Sequence, residues 1–217
     1  MAIKAKQKYR LADGTVVPGT TTIVGEIAWN KGVLISWANK LGLNGIEARK
    51  FVDDKALIGS LAHALVLSEL KGEKPDTSDY TANQIRQAEN CLASYKEWRK
   101  GKVIMPVIVE EMLVSEDLRY GGTPDFYGEV DGVLTLVDYK TGKGIYSEAT
   151  LQVAAYRNLI QEKGHPVKGV RILNIPRSDD EAFSEKILTD KELDAGWEIF
   201  KHLLCIWKLK GAVKRDS

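Results

Sequence analysis

The stretch Gly121 to Lys143, GGTPDFYGEVDGVLTLVDYKTGK, decides how this chain is read. Its two apolar-rich runs are separated by Asp131-Gly132, a dipeptide favoured in two-residue type I′ turns because both central residues need positive φ. The pattern predicts a β-hairpin in which Val130 faces Val133. Carried outward, the same register sets Phe126 against Val137 and Asp125 against Asp138. Directly opposed side chains have Cβ atoms about 4.5–5.5 Å apart, and like charges placed so are unfavourable. At about 5 Å and an effective dielectric of about 20, the repulsion is about 3 kcal/mol. A divalent cation between the two carboxylates reverses its sign, and oxygen ligands select Mg²⁺, Mn²⁺ or Ca²⁺ over softer metals. Strand alternation puts Lys140 on the same face as both acids.

Two metal-binding acids and one ammonium on a single face suit phosphodiester hydrolysis. The metal polarises the phosphoryl oxygens and acidifies bound water, while the lysine orients that water or stabilises developing negative charge. An isolated Asp-x-Lys is more commonly an ion pair on a solvated face; the hairpin register is what sets this one apart.

Pro124-Asp125, followed by Asp138-Tyr139-Lys140 within VDYKTG, resembles the PD-(D/E)XK nuclease superfamily, and within it the RecB-like and phage-exonuclease branch. Three further features match in order and spacing: GSLAHAL at Gly59 to Leu65, Glu111 on an extended run before the hairpin, and LQVAAY at Leu151 to Tyr156. The resemblance implies that Asp125 and Asp138 are the metal-binding acids, that the Tyr139 backbone carbonyl is a further ligand, and that Lys140 is the catalytic lysine. It implies that His63 joins the metal shell from a helix, and that Gln152 and Tyr156 position the nucleic-acid strand or support the lysine. The acid on the preceding strand is Glu110 or Glu111, which strand alternation points to opposite faces; spacing to Val114 and Ser115 favours Glu111. The expected cofactor is Mg²⁺ or Mn²⁺ and the expected substrate DNA, with exonuclease action in phage or bacterial recombination, replication or repair.

With 217 residues, 44% of them hydrophobic and 28% charged, the chain has apolar material for one sizeable core. One domain is the natural organisation, and the resemblance implies a restriction-endonuclease-like fold for it. It has a helical part over about 1–104, an α/β core with a central mixed sheet flanked by helices over about 105–190, and a C-terminal helix over about 191–212. The two cysteines, Cys91 and Cys205, have no metal-binding spacing and exclude the four-cysteine iron-sulfur cluster of some RecB-like relatives. No apolar run is long enough to span a bilayer and the N-terminus has no signal-peptide core, so a cytoplasmic protein is expected.

A formal charge of +1 offers no global attraction to DNA. Any path must come from local clusters: Lys4, Lys6, Lys8 and Arg10; Arg99, Lys100 and Lys102; Lys208, Lys210, Lys214 and Arg215. There is no Walker loop, so an ATP-driven helicase or recombination partner would be a separate chain. Ring-forming trimers occur among the phage relatives, which makes a homo-oligomer a further expectation.

Elsewhere the sequence predicts a hairpin around Asp13-Gly14, capping threonines at Thr20 to Thr22, and helical segments holding Trp29 and Trp37. Helices are expected over Lys55 to Leu70, Thr81 to Lys100, Ser147 to Lys163 and Lys191 to Lys210, with a loop at Lys71 to Asp79. On the last helix, Trp197, Phe200, Leu203, Leu204 and Trp207 read as core anchors. Strands are expected over Pro106 to Val114, Gly169 to Ile175 and Phe183 to Ile187, the second of them parallel to a neighbour through a helical crossover. Two other functions fit less of the pattern: a nuclease-fold protein that binds nucleic acid or a partner without cutting, and a hydrolase of small phosphate esters. An intact Asp125, Asp138, Lys140 set argues for catalysis.

Overall fold

The computed structural model describes residues 8–27, 29–72, 75–210 and 213. A small antiparallel hairpin, β1 (Tyr9–Arg10) and β2 (Val16–Val17), opens the described chain around Gly14, whose φ is 83°. Helix α1 (Thr20–Val24) follows, with Gly19 as its N-cap. The threonines expected to cap it form its first turn instead, and Thr20 Oγ1 donates to the Gly121 carbonyl. Trp29 precedes α2 (Lys31–Leu43), which carries Trp37 and buries none of its residues.

Helix α3 (Ala48–Lys71) starts earlier than expected and ends on Gly72 in the left-handed conformation. Helix α4 (Ala82–Arg99) is capped by Thr81 in a reciprocal capping box with Gln84. Its buried stripe runs through Gln84, Ala88, Cys91, Tyr95 and Trp98.

The strand expected over Pro106 to Val114 is two strands, β3 (Ile104–Val109) and β4 (Leu113–Ser115). The break falls at Glu110, whose φ of 52° turns the chain. Pro106 is tolerated because β3 is an edge strand, with a register irregularity between Pro106 and Ile108. After β5 (Tyr120–Gly122), which pairs with β4, the hairpin forms as predicted from β6 (Phe126–Val130) and β7 (Val133–Thr141). Its turn residues Asp131 and Gly132 have φ of 52° and 79°, and Phe126 pairs with Val137.

Helix α5 (Ser147–Glu162) crosses over to β8 (Gly169–Ile175), which lies parallel to β7, and β9 (Ser184–Ile187) pairs antiparallel with β8. Helix α6 (Asp190–Lys210) completes the fold. The central sheet, ordered β3-β6-β7-β8-β9, is therefore mixed, and the architecture is α/β.

Alternation along β7 divides the core. Leu136 packs with α1, α5 and α6 on one face, whereas Val137 and Tyr139 pack with α3 and α4 on the other. Phe200, Leu203 and Leu204 of α6 are buried and Trp197 and Trp207 pack against them, so these residues serve the core as the sequence suggested. Asp138 is the one acid buried in the sheet among the described residues, only 1% exposed at the central strand.

Candidate active site

Asp138 and Lys140 lie on the α5 side of β7, two positions apart on one face of the pleat. The Lys140 Nζ is 2.6 Å from Asp138 Oδ2 and donates to Gln152 Oε1 at 3.0 Å. Gln152 in turn donates through Nε2 to the Tyr156 hydroxyl at 2.9 Å. One helical turn separates the two α5 residues, so a single helix face supplies both. The result is a continuous polar run from Asp138 through Lys140 and Gln152 to Tyr156.

Asp125 does not extend the ladder. The β6–β7 pairing ends at Phe126 and Val137, and Asp125 occupies the bend before β6. Its carboxylate reaches across the strand end, accepting the Tyr139 backbone N–H at Oδ2 (2.8 Å) and lying 3.0 Å from His63 Nδ1 at Oδ1. His63 comes from α3, on the opposite side of the sheet, and its ring stands edge-on to Tyr139 with centroids 6.2 Å apart. The site thus lies at the strand end where the two helical layers meet.

The two carboxylates differ in their electrostatic setting. Burial raises the Asp138 pKa; Lys140 opposes that rise and Asp125 adds to it. Burial acts on Asp125 too, but there the His63 ring, Lys140 and the Tyr139 N–H outweigh it and hold the carboxyl below its ordinary value. Burial disfavours the charged His63 ring, yet the pull of Asp125 prevails and its pKa is raised. The Tyr156 phenol is pushed well up by burial, reinforced by Asp138 and Asp125.

Neither Asp138 oxygen receives a well-directed hydrogen bond, although both are buried. The close Lys140 ammonium compensates the charge without satisfying the lone pairs. No three His, Cys, Asp or Glu side chains among the described residues converge as a ready-made cation cage. As they stand, Asp125 is turned to His63 and Tyr139, and Asp138 to Lys140. The donor chemistry nevertheless fits a hard divalent cation: two carboxylates, one of them with unsatisfied buried oxygens, and an imidazole beside them.

Glu111 is not brought to this group. With Glu110 it forms the exposed bend between β3 and β4, and the Glu110 N–H donates to the Asp125 carbonyl. Strand alternation does not set the two glutamates on opposite faces, because the chain is not extended at Glu110.

The basic clusters are mostly engaged elsewhere. Arg10 donates to the Gly14 carbonyl, Arg99 faces Glu69, Lys100 faces Glu97, Lys102 donates to the Trp98 carbonyl, and Lys210 pairs with Glu26. Lys4, Lys6, Lys214 and Arg215 lie outside the described residues. Sequence reading does not disclose a hydroxyl pair that falls two residues before Asp125 in the chain: the Tyr9 OH is 3.0 Å from Thr123 Oγ1. Tyr9 is hidden within a basic stretch, and the Gly121-Gly122 pair, whose first member accommodates its ring, was the available signal.

A mixed five-stranded sheet with acid, acid and lysine gathered at the end of its central strand defines a nuclease-type α/β protein. The family model of the PD-(D/E)XK nuclease superfamily matches residues 47–210, and the chain belongs to that superfamily. Among solved structures, that of a "Putative exonuclease" from Eubacterium rectale is similar with a TM-score of 0.50 at 16% identity, over 72% of this chain and 69% of that one. An alkaline exonuclease from Laribacter hongkongensis aligns with a TM-score of 0.34 at 14% identity, over 69% of this chain and 83% of that one. At such identities the likeness is one of fold. No curated protein sequence matches the chain.

Proposed function

We propose that this chain is a divalent-metal-dependent deoxyribonuclease, acting as an exonuclease with Mg²⁺ or Mn²⁺ in DNA recombination, replication or repair. The observation that carries the reading is the polar run Asp138–Lys140–Gln152–Tyr156 beside Asp125. Asp125, Asp138, His63 and the Tyr139 carbonyl would hold the cation, which when bound polarises the scissile phosphate and acidifies water.

The protein's own groups do the positioning. Gln152 has its amide direction fixed because Nε2 is committed to Tyr156, so Oε1 must face Lys140. That bond and the Asp138 carboxylate hold the ammonium from two sides, where it can orient a water or meet charge developing on the phosphoryl oxygens. The buried Tyr156 hydroxyl accepts from Gln152 and so acts on the lysine through that amide. Glu111 retains a role only if the bend at Glu110 closes toward the site with substrate. We also read the chain as one nuclease domain working in the cytoplasm.

The test is incubation with end-labelled linear DNA and closed-circular DNA in Mg²⁺ or Mn²⁺. Digestion of the linear form alone is the expected result. Cutting of the circle would make the enzyme an endonuclease, and no cutting of either would overturn the reading.

A further inference from the structure

Residues 8–27 precede the family match, which starts at residue 47, yet they are built into the approach to Asp125. The Gly121 N–H donates to the Pro18 carbonyl at 2.9 Å, and Thr20 Oγ1 donates to the Gly121 carbonyl at 2.9 Å. A Cβ at Gly121 would lie 2.5 Å from Tyr9 Cδ1, and one at Gly122 would lie 2.5 Å from Tyr156 Cε1. Successive Cβ directions alternate across a strand, so β5 passes between the two tyrosine rings and only glycine fits at either position. This seating delivers the Tyr9 hydroxyl to Thr123 Oγ1, 3.0 Å away and two residues before Asp125.

Both residues are only partly buried. In a pair of hydroxyls one O–H is spent on the partner and the other stays free, whichever of the two donates. The pair therefore always offers one donor, and a neutral one, two residues along the chain from Asp125, whose carboxylate would repel an anion. We propose that the Tyr9 and Thr123 hydroxyls form a subsite for a DNA backbone phosphate neighbouring the scissile one, so that the N-terminal hairpin positions the strand. The proposal rests on the nuclease reading above.

Tyr9→Phe removes the hydroxyl and leaves the ring on Gly121; Thr123→Val removes its partner with little change of shape. Each is made in a Lys140→Ala background, and binding of fluorescein-labelled linear DNA is followed by anisotropy in Ca²⁺. Either single variant leaves one hydroxyl whose O–H can still donate, so the full loss is expected in Tyr9→Phe/Thr123→Val, which removes both and should weaken binding about tenfold, the cost of a lost hydrogen bond to a charged acceptor. In the protein that retains Lys140, the double variant should raise KM while kcat stays within about twofold, the signature of lost ground-state binding. Melting temperature is recorded alongside, and if the double variant melts far below its parent, Tyr9→Phe combined with Thr123→Ala decides. Unchanged affinity in the folded double variant overturns the subsite while leaving the nuclease reading intact. A parent protein that neither binds nor cuts DNA overturns both.

Discussion

Asp125 and Asp138 belong to one hairpin, yet their surroundings drive them in opposite directions. Asp138 has a raised pKa, first through burial and then through Asp125. A carboxyl whose folded value is raised favours the fold while protonated, below its unfolded value, and that contribution is lost as pH rises through the folded value. At neutral pH the ionised Asp138 therefore costs stability. Asp138→Asn should melt above wild type when both are chelated, and thermal scans in chelator check this; an equal or lower melting temperature would mean that Lys140 fully compensates the charge. The His63–Asp125 pair has the opposite sense. Its contribution fades at low pH as Asp125 protonates through its lowered value, and at high pH as His63 loses its proton through its raised one. The destabilisation by His63→Gln should accordingly be greatest at mildly acidic pH and shrink under alkaline conditions, as measured by denaturant melts across pH. The sequence placed both acids at the same end of the hairpin, because Asp131-Gly132 fixes the register. It did not show that Asp125 leaves the ladder for His63 and the Tyr139 N–H, since that depends on how α3 packs across the sheet end.

At the scale of elements, β7 and α5 carry most of the site, and both were legible. The strand is a long apolar run opened by a turn dipeptide, and the helix pairs Gln152 with Tyr156 one turn apart. Tyr156→Phe keeps the ring against Gly122 and removes only the hydroxyl that fixes the Gln152 amide. We expect kcat to fall about tenfold with little change in melting temperature, because a misdirected amide no longer holds Lys140. Unchanged single-turnover rates would remove Tyr156 from the account. What sequence did not disclose was the break between β3 and β4. Glu110 takes a left-handed conformation with no Gly, Asn or Pro to announce it, so from sequence the β-rich run reads as one strand with Glu111 on it.

For the whole molecule, the site joins the two helical layers through the sheet: α3 supplies His63, α5 supplies Gln152, the sheet supplies Asp138 and Lys140, and the bend before β6 supplies Asp125. A cation held by groups from both sides binds the folded chain and not the unfolded one. At 100 times its dissociation constant it should contribute about 2.7 kcal/mol, or about 5–10 °C in melting temperature for a chain of this size. Scans with Mn²⁺ against chelator test this, and no shift would argue against a metal held by these residues. The mixed sheet and its helical flanks followed from the spacing of apolar runs and crossovers. The docking of the N-terminal hairpin onto β5 did not, because it depends on contacts between residues far apart in the chain. The central claim is that Lys140, held by Asp138 and Gln152, works on a phosphodiester. Its most direct measurement is the single-turnover cleavage rate of end-labelled linear DNA by wild type and Lys140→Ala, with DNA binding and melting temperature recorded on the same preparations. The account predicts a loss of about a hundredfold or more in rate with folding and binding retained; a Lys140→Ala protein that cuts at the wild-type rate would contradict it.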